Sequence, residues 1–367
     1  MPHLRYRLEC DGVKYQILNS FGTNCILKTF RPQVRRIQLS AGCFLVNKVA
    51  FMFPGQGSQE IGMGKDLFFD DPFTTNLLEL ACDLVHEDLR QLCMEGPEKR
   101  LIQARFLQPS IVTVCLGYWN RLIENGIKPD VVLGHSLGEI SSLAASGVIT
   151  AEQAITIAAK RGELMDKVAS QCDGGMLAVM FMDRETVDSL IKEAAGPDRL
   201  VMANDNAPDQ FVLSGDRSLL DIVAFLIADR KLGKCKKVQV VGPWHSPFLN
   251  EVRFEYEKWV EPFAFNPPEI DIILNATAKT ENHPSTIKHL SSWQLTSPVF
   301  WRESMSTLKE MGVDTLIEVG PGRVLSGLAR VNNFRKESKV ISLNKAEDID
   351  SLLKETNQTE TRTGVRI

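Results

Sequence analysis

Residues 130–147, DVVLGHSLGEISSLAASG, constrain the fold of this chain more than any other segment. At their centre, residues 134–138 read G-x-S-x-G, between a short apolar run and an alanine-rich stretch. That order predicts a strand, a tight turn and a helix, and the two glycines allow backbone segments to crowd the turn. Glycine and serine fill many ordinary turns, so the pentapeptide alone is a weak signal. In this context it predicts a nucleophile elbow, with Ser136 projecting at the end of a sheet.

Three further segments contain groups that an activated serine requires. Residues 49–59, VAFMFPGQGSQ, predict a buried strand followed by glycines, where backbone N–H groups can form an oxyanion hole. Residues 238–247, VQVVGPWHSP, predict an apolar strand that presents His245, the candidate general base. Arg161 lies in a stretch of helical pattern with apolar turns, either as a surface residue with a buried stem or as a clamp for an anion.

Seven segments of the chain occur in an order that resembles one enzyme family. They are FPGQGSQ, QPS, GHSLGE, the KRG helix, NDNAPDQFVLSG, WHS and EVGPG. They are similar to those of the malonyl-CoA:acyl-carrier-protein transacylases of fatty-acid synthesis, and of the related acyltransferase domains of polyketide synthases. The resemblance covers about residues 48–343. It implies transfer of a malonyl group from malonyl-CoA to the phosphopantetheine thiol of a holo acyl carrier protein, through a malonyl-serine intermediate. It implies no metal or redox cofactor.

The resemblance also implies roles for particular residues of the catalytic centre. Ser136 would be the nucleophile and His245 its general base. The backbone N–H groups of Gln56 and Leu137 would form the oxyanion hole. In this family a backbone carbonyl orients the histidine in place of a triad carboxylate. The matching stretch here is residues 297–301, SPVFW, and within it the candidate is the carbonyl of Phe300.

The same resemblance implies a set of substrate-binding residues. Arg161 would pair with the malonyl carboxylate. For four others an ordinary structural role competes: Gln108 and Asn206 could satisfy backbone groups, His135 could pack beside the elbow, and Trp244 could point inward. If Trp244 faces the substrate, its indole would leave little room for a branched acyl group.

Periodicity predicts an α/β protein built from two parts. Short apolar strands near 49–53, 131–134, 271–275 and 315–319, separated by helical stretches, predict an α/β-hydrolase-like core with a mostly parallel sheet. Residues 174–241 show the order βαββαβ of a ferredoxin-like subdomain. The core would then comprise residues 48–173 and 242–345, and residues 346–367 would form a polar tail. Since the serine and arginine precede the insert and the histidine follows it, the site should lie between the two parts.

Composition agrees with a globular enzyme that acts on small molecules. Hydrophobic residues make up 44% and charged residues 24% of the chain, and its net charge of −4 gives no reason to expect a nucleic-acid partner. No apolar run reaches the roughly 18 residues of a membrane span. The eight cysteines show no metal-ligand spacing and indicate a reducing compartment. We therefore expect a cytoplasmic location, with organelle targeting by residues 1–47 left open. We also expect a monomer.

Residues 1–47 lie outside the resemblance. They contain seven Lys or Arg and two acidic residues, a local net charge of +5. Such a composition is compatible with an organelle-targeting presequence, with translation from an upstream start codon, or with a partner-binding arm. The interpretation favoured here is a disordered extension without a catalytic role.

Two other functions compete with malonyl transfer. A serine acyl hydrolase or thioesterase would use the same serine and histidine, although Arg161 and the GQGSQ segment argue against hydrolysis. A carrier-binding protein without catalysis would require that Ser136 or His245 be missing, and both are present.

Overall fold

The computed structural model describes residues 5–10, 13–18, 26–28, 48–194, 198–334 and 338–363. The chain divides into two compact units, Met1–Val46 and Asn47–Ile367. In the first unit, three strands pair antiparallel in the order β1-β2-β3: β1 (Arg5–Cys10), β2 (Val13–Leu18) and β3 (Ile26–Lys28). Most of residues 1–47 lies outside the described residues, so the interpretation of this segment as a disordered extension stays a prediction.

The second unit contains two sheets and the helices that cover them. Its strands are β4 (Lys48–Phe53), β5 (Val131–Gly134), β6 (Gly174–Met180), β7 (Leu200–Ala207), β8 (Gln210–Asp216), β9 (Lys234–Lys237), β10 (Asp271–Leu274), β11 (Lys279–Thr280), β12 (Val313–Val319) and β13 (Lys339–Leu343). Its helices are α1 (Pro72–Val85), α2 (Leu89–Glu95), α3 (Glu98–Leu101), α4 (Ala104–Glu124), α5 (Gly138–Ala145), α6 (Ala151–Ala169), α7 (Arg184–Ala194), α8 (Arg217–Asp229), a 3-10 turn (Pro247–Leu249), α9 (Asn250–Val260), α10 (Pro284–Trp293), α11 (Trp301–Glu310), α12 (Val324–Val331) and α13 (Ala346–Thr363). Within the described ranges, no helix combines the length and apolar character needed to cross a bilayer.

The larger sheet has the strand order β11-β10-β5-β4-β12-β13 and is parallel except for β11. The two central strands, β4 and β5, carry no polar side chain at 49–53 and 131–134, because helices cover both faces of the sheet. Phe51 and Phe53 join the cluster formed with α1, α4 and α6, whereas Ala50 and Met52 join the cluster formed with α11 and α12. This alternation is the two-residue period of a strand. The predicted mostly parallel core is confirmed.

The smaller sheet is antiparallel, with the order β7-β8-β6-β9. Its elements follow the chain as β6, α7, β7, β8, α8 and β9, which is the predicted βαββαβ arrangement. One detail of the prediction is wrong: the apolar run 238–241 is not a strand, since β9 ends at Lys237 and only the Val238 N–H continues the pairing, to the Met176 carbonyl. The backbone already turns at this point, since the Val240 N–H donates to the Val238 carbonyl at 2.9 Å, so an irregular segment carries His245.

The end of the chain contributes to the core. Residues 346–363, predicted as part of a polar tail, form α13, and its first two turns bury Ile349 and Leu352. Ile349 and Leu352 are three residues apart, as on one face of a helix, but the sequence that follows them is polar. The sequence analysis therefore missed these two contacts. The proposed boundaries at 48, 174, 242 and 346 stay predictions.

A buried carboxylate joins the sheet to a helix. Glu318 on β12 is fully buried, and its two oxygens accept from the N–H groups of Leu325 at 2.9 Å and Ser326 at 2.8 Å. It thus satisfies two of the free donors at the start of α12. Burial raises the pKa of Glu318, and the two backbone hydrogen bonds oppose that effect.

We expect Glu318→Ala to lower the free energy of unfolding by about 1–3 kcal/mol, because two buried N–H groups lose their acceptors. Urea unfolding followed by circular dichroism measures this loss. Glu310→Ala, at an exposed position, should stay within about 0.5 kcal/mol of the parent. Equal losses for both variants would contradict a capping role for Glu318.

Candidate active site

The elbow between β5 and α5 depends on tight backbone packing. Ser136 adopts a left-handed conformation with φ of 52°, which is rare for a residue with a side chain. A Cβ atom at Gly134 would overlap the backbone of Gly138, and one at Gly138 would overlap the carbonyl of Phe53. Glycine at both positions therefore allows β4, β5 and α5 to converge on the serine.

Ser136 and His245 form a hydrogen-bonded pair. The Ser136 hydroxyl oxygen lies 2.6 Å from His245 Nε2. On the other side of the ring, Nδ1 lies 2.9 Å from the carbonyl oxygen of Gln294 and 3.1 Å from that of Ser297. Since carbonyls only accept, Nδ1 carries the proton and Nε2 is free to accept from the serine hydroxyl. The imidazole is oriented as a general base without a carboxylate.

The prediction that the Phe300 carbonyl orients His245 is wrong. Phe300 directly precedes α11, and its carbonyl accepts from the backbone N–H of Ser304 at 3.0 Å in the first turn of that helix. The carbonyls that hold the imidazole come earlier in the chain, from Gln294 and Ser297.

His245 is held neutral by its surroundings. Burial, and after it the positive charge of Arg161, lower its pKa to about 3, while the carbonyl of Gln294 acts in the opposite direction. A neutral imidazole is the form that can accept a proton from the serine.

Two backbone N–H groups have no acceptor in the described part of the chain: that of Leu137, within the elbow, and that of Gln56, next to Gly55 in the segment that packs against it. Gly55 permits the close approach, since a Cβ there would overlap the carbonyl of His135 and lie 3.4 Å from the Leu137 nitrogen. The N–H of Ser136 itself is already used, because it donates to Asn275 Oδ1 at 2.7 Å. Free N–H groups next to a nucleophile can stabilise a developing oxyanion.

Arg161 is a buried cation without a carboxylate partner. It is 2% exposed, and its guanidinium donates to the side-chain oxygens of Gln108 at 3.0 Å and Gln294 at 3.1 Å. Among the described residues, no Asp or Glu oxygen lies within the 4.0 Å of an ion pair. Burial lowers its pKa to about 10, so it remains charged near neutral pH. Its Nη2 lies 3.4 Å from the Ser136 hydroxyl oxygen, so an anion bound there would adjoin the nucleophile.

The remaining predicted residues divide into two groups. Gln108 links Arg161 to the loop of residues 54–59 that follows β4, since its Nε2 donates to Gln56 Oε1 at 3.1 Å. His135 and Asn206 contact each other at 2.8 Å, and the ring of His135 packs against Trp301 with centroids 5.2 Å apart. Desolvation lowers the pKa of His135.

Trp244 is 3% exposed and belongs to the main hydrophobic cluster, packed against Gly242. Its indole nitrogen has no hydrogen-bond partner in the described part of the chain. This placement agrees with the inward-packing alternative, and a role in acyl selectivity stays a prediction.

Three buried residues of the site were missed by the sequence analysis. Gln294 connects Arg161, the Ser136 carbonyl and, through its own carbonyl, His245. Asn275 contacts the elbow from the end of β10, and Glu139 contacts Asn275 from the first turn of α5. Glu139 offered one signal, since a charged residue in an otherwise apolar helix start is expensive to bury without a partner.

Comparisons with known proteins agree with this geometry. A family model described as acyl transferase domain matches residues 50–358. The malonyl CoA-acyl carrier protein transacylase of Bacillus subtilis is 34% identical over 316 residues, which cover 85% of this chain and 99% of the relative. The crystal structure of an acyl carrier protein S-malonyltransferase from Vibrio cholerae is 31% identical and superposes with a TM-score of 0.77, covering 83% of this chain and 100% of that one.

A third similar structure contains a malonyl-transacylase in complex with a type II polyketide synthase acyl-carrier protein in its holo form. It is 30% identical, with a TM-score of 0.79, and the match covers 84% of this chain and 100% of that one. The family resemblance is thereby confirmed over nearly the whole second unit. The chain belongs to the malonyl-CoA:acyl-carrier-protein transacylase family of acyl transferases.

Proposed function

We propose that this protein transfers a malonyl group from malonyl-CoA to the phosphopantetheine thiol of a holo acyl carrier protein, in fatty-acid or polyketide synthesis. The observation that carries the proposal is the Arg161 guanidinium, buried without a carboxylate partner and 3.4 Å from the Ser136 hydroxyl. A thioester whose acyl group ends in a carboxylate supplies the missing charge. The names of the relatives specify the same donor and acceptor.

In the first half-reaction Ser136 is acylated. Its oxygen attacks the thioester carbonyl while His245 Nε2 takes the hydroxyl proton, and the N–H groups of Gln56 and Leu137 hold the oxyanion. The carbon–sulfur bond then breaks. His245 returns the proton to the sulfur, and coenzyme A leaves as a thiol.

The second half-reaction reverses these roles with a different thiol. His245 takes the proton of the carrier's phosphopantetheine thiol, whose sulfur attacks the malonyl-serine carbonyl. The carbon–oxygen bond to Ser136 breaks, and the serine oxygen regains its proton from His245. Each step uses only the residues named here and the two thiols.

No observation favours the competing functions. A general acyl hydrolase does not need a buried cation beside its nucleophile, whereas an enzyme that binds a malonyl group has a use for one. A carrier-binding protein without catalysis is disfavoured by the 2.6 Å contact between Ser136 and His245. Monomeric state, cytoplasmic location, the absence of a nucleic-acid partner and a non-catalytic role for residues 1–47 stay predictions.

We expect Ser136→Ala to abolish malonyl-enzyme formation without unfolding the protein, because the hydroxyl contributes little packing at the edge of the site. Intact-mass spectrometry after incubation with malonyl-CoA, and then with holo acyl carrier protein, measures both half-reactions. The parent should gain malonyl mass and pass it to the carrier. Malonyl mass on the variant would remove Ser136 from the mechanism, and mass lost from the parent to water alone would favour hydrolysis.

We expect Arg161→Ala to lower kcat/KM for malonyl transfer by about 30-fold to several thousand-fold, equivalent to about 2–5 kcal/mol, because the substrate carboxylate loses its partner. Acetyl transfer should be spared. Lys167→Ala is the matched control: it removes an exposed cation of the same helix that pairs with Glu255, and it should change neither rate. Equal losses for malonyl and acetyl groups would assign Arg161 a purely structural role.

The pH dependence of acylation tests the state of His245. Only the neutral imidazole accepts a proton, and with its pKa lowered to about 3 it is neutral at every pH well above that value. We therefore expect kcat/KM for malonyl-CoA, which reports on the free enzyme, to show no His245 inflection between about pH 5 and pH 7. A loss of rate as pH falls through 6.5, the ordinary histidine value, would contradict this. An inflection near pH 7 that vanishes in Glu139→Gln belongs to Glu139, whose pKa burial raises to about 7.

A further inference from the structure

A side-chain amide spans the elbow from the neighbouring strand. Asn275 follows β10, which pairs in parallel with β5, so its side chain reaches the turn that β5 enters. Its Oδ1 accepts from the Ser136 N–H at 2.7 Å, and its Nδ2 donates to the Gly134 carbonyl at 2.6 Å. The residue is 1% exposed.

We propose that Asn275 is a positioning residue for the nucleophile, and that the buried carboxylate of Glu139 holds Asn275 in place. The proposal rests on the assignment of Ser136 as the acyl-carrying residue made above. Asn275 does not touch the reacting atoms and acts through the backbone of the serine.

The chemistry of the two backbone groups explains why the residue is asparagine. The Ser136 N–H can only donate and the Gly134 carbonyl can only accept. A side chain that bonds to both, as Asn275 does, therefore needs one acceptor and one donor on a short planar group. We call this pair of hydrogen bonds the brace. An ionised carboxylate would set an oxygen against the Gly134 carbonyl. An aliphatic side chain would leave two buried polar groups without partners.

The brace acts where the backbone is strained. A non-glycine residue in the left-handed region is energetically unfavourable and persists only where its surroundings impose that conformation. Ser136 is such a residue, and its peptide N–H is held by Asn275. The next N–H along the chain belongs to Leu137, an oxyanion donor in the proposed mechanism. The direction of that N–H and the position of the serine oxygen therefore both depend on the turn that Asn275 holds.

The backbone of Asn275 is fixed on both sides. Its N–H donates to Glu139 Oε2 at 2.6 Å, and its carbonyl accepts from the Phe300 N–H at 3.1 Å. Phe300 lies three residues after Ser297, whose carbonyl orients His245. Asn275 thus joins the turn that carries the nucleophile to the segment that holds the base.

Glu139 suits this role because it is a buried acceptor. It is 2% exposed, in the first turn of α5, where the helix dipole favours negative charge. Burial raises its pKa to about 7, and the Asn275 N–H, the charge of Arg161 and the side chain of Gln294 oppose that rise. Glu139 thus contacts both Asn275, which holds the serine turn, and Gln294, whose carbonyl orients His245.

Asn275→Asp tests the brace because the new carboxyl has the donor that the Gly134 carbonyl requires only while it is protonated. The protonated carboxyl can accept from the Ser136 N–H and donate to the Gly134 carbonyl, whereas the ionised form cannot donate. The titratable groups around it are Glu139, Arg161 and His245, and burial beside the first of these raises the pKa of the new carboxyl. Single-turnover acylation by malonyl-CoA should therefore fall about 30-fold or more from about pH 5.5 to pH 8, relative to the parent over the same range. KM for malonyl-CoA should change little.

Asn344→Asp is the matched control. Asn344 follows β13 of the same sheet, and its amide donates to the Gly322 carbonyl at 3.1 Å, away from the elbow. Its acylation profile should parallel that of the parent even where stability falls. A parallel profile in folded Asn275→Asp would overturn the proposal.

Glu139→Met, which removes both acceptor oxygens at a similar side-chain length, decides the matter if Asn275→Asp does not fold. An acylation rate lowered about 10-fold at unchanged KM would support the brace, and an unchanged rate would overturn it. The unmodified protein distinguishes the proposed function from the positioning role of Asn275. If it fails to take up malonyl mass, the proposed function is refuted. Normal uptake by the parent, with no effect in the variants, refutes only the positioning role.

Discussion

A buried positive charge, with no carboxylate in direct contact in the described part of the chain, sets the conditions for the rest of the site. Removing the Arg161 guanidinium from water is costly, and here neutral amide oxygens from Gln108 and Gln294 recover only part of its hydration. The remaining deficit is what an incoming carboxylate can satisfy. Burial above all lowers the pKa of His245, and the charge of Arg161 adds to that effect, so one cation can act both on an incoming carboxylate and on the protonation state of the imidazole.

Backbone geometry supplies what side chains alone could not. Both reacting residues, Ser136 and His245, adopt left-handed conformations, with φ of 52° and 55°. Such conformations persist only where the surroundings impose them. At the serine, they are imposed by crowded glycines and by the amide of Asn275. At the histidine, the backbone carbonyls of Gln294 and Ser297 accept from the ring. The site is therefore preorganised by contacts among five separate chain segments before any ligand arrives.

The limits of the sequence analysis follow from the range of the interactions involved. The elbow and the apolar strands were predictable because spacing and composition within a few residues encode them. Gln294, Asn275 and Glu139 were not, because each acts through a contact between segments far apart in the chain. Nothing in the immediate neighbourhood of Asn275 distinguishes it from a turn asparagine. The error at Phe300 was one of register: local sequence located the right loop, but the start of α11 decided which carbonyls stayed available.

The short separation between Arg161 and Ser136 acts as a gauge of acyl length. In the proposed mechanism, one end of the acyl group is fixed by the ester bond to the Ser136 oxygen, and the other by the Arg161 guanidinium, whose Nη2 lies 3.4 Å from that oxygen. A chain with one carbon between its two carbonyl groups folds back across this gap. A longer diacid must buckle or push its carboxylate past the cation, and a monoacid leaves the cation unsatisfied. If Arg161 binds the carboxylate as proposed, the placement of this one buried side chain selects acyl groups both by length and by charge.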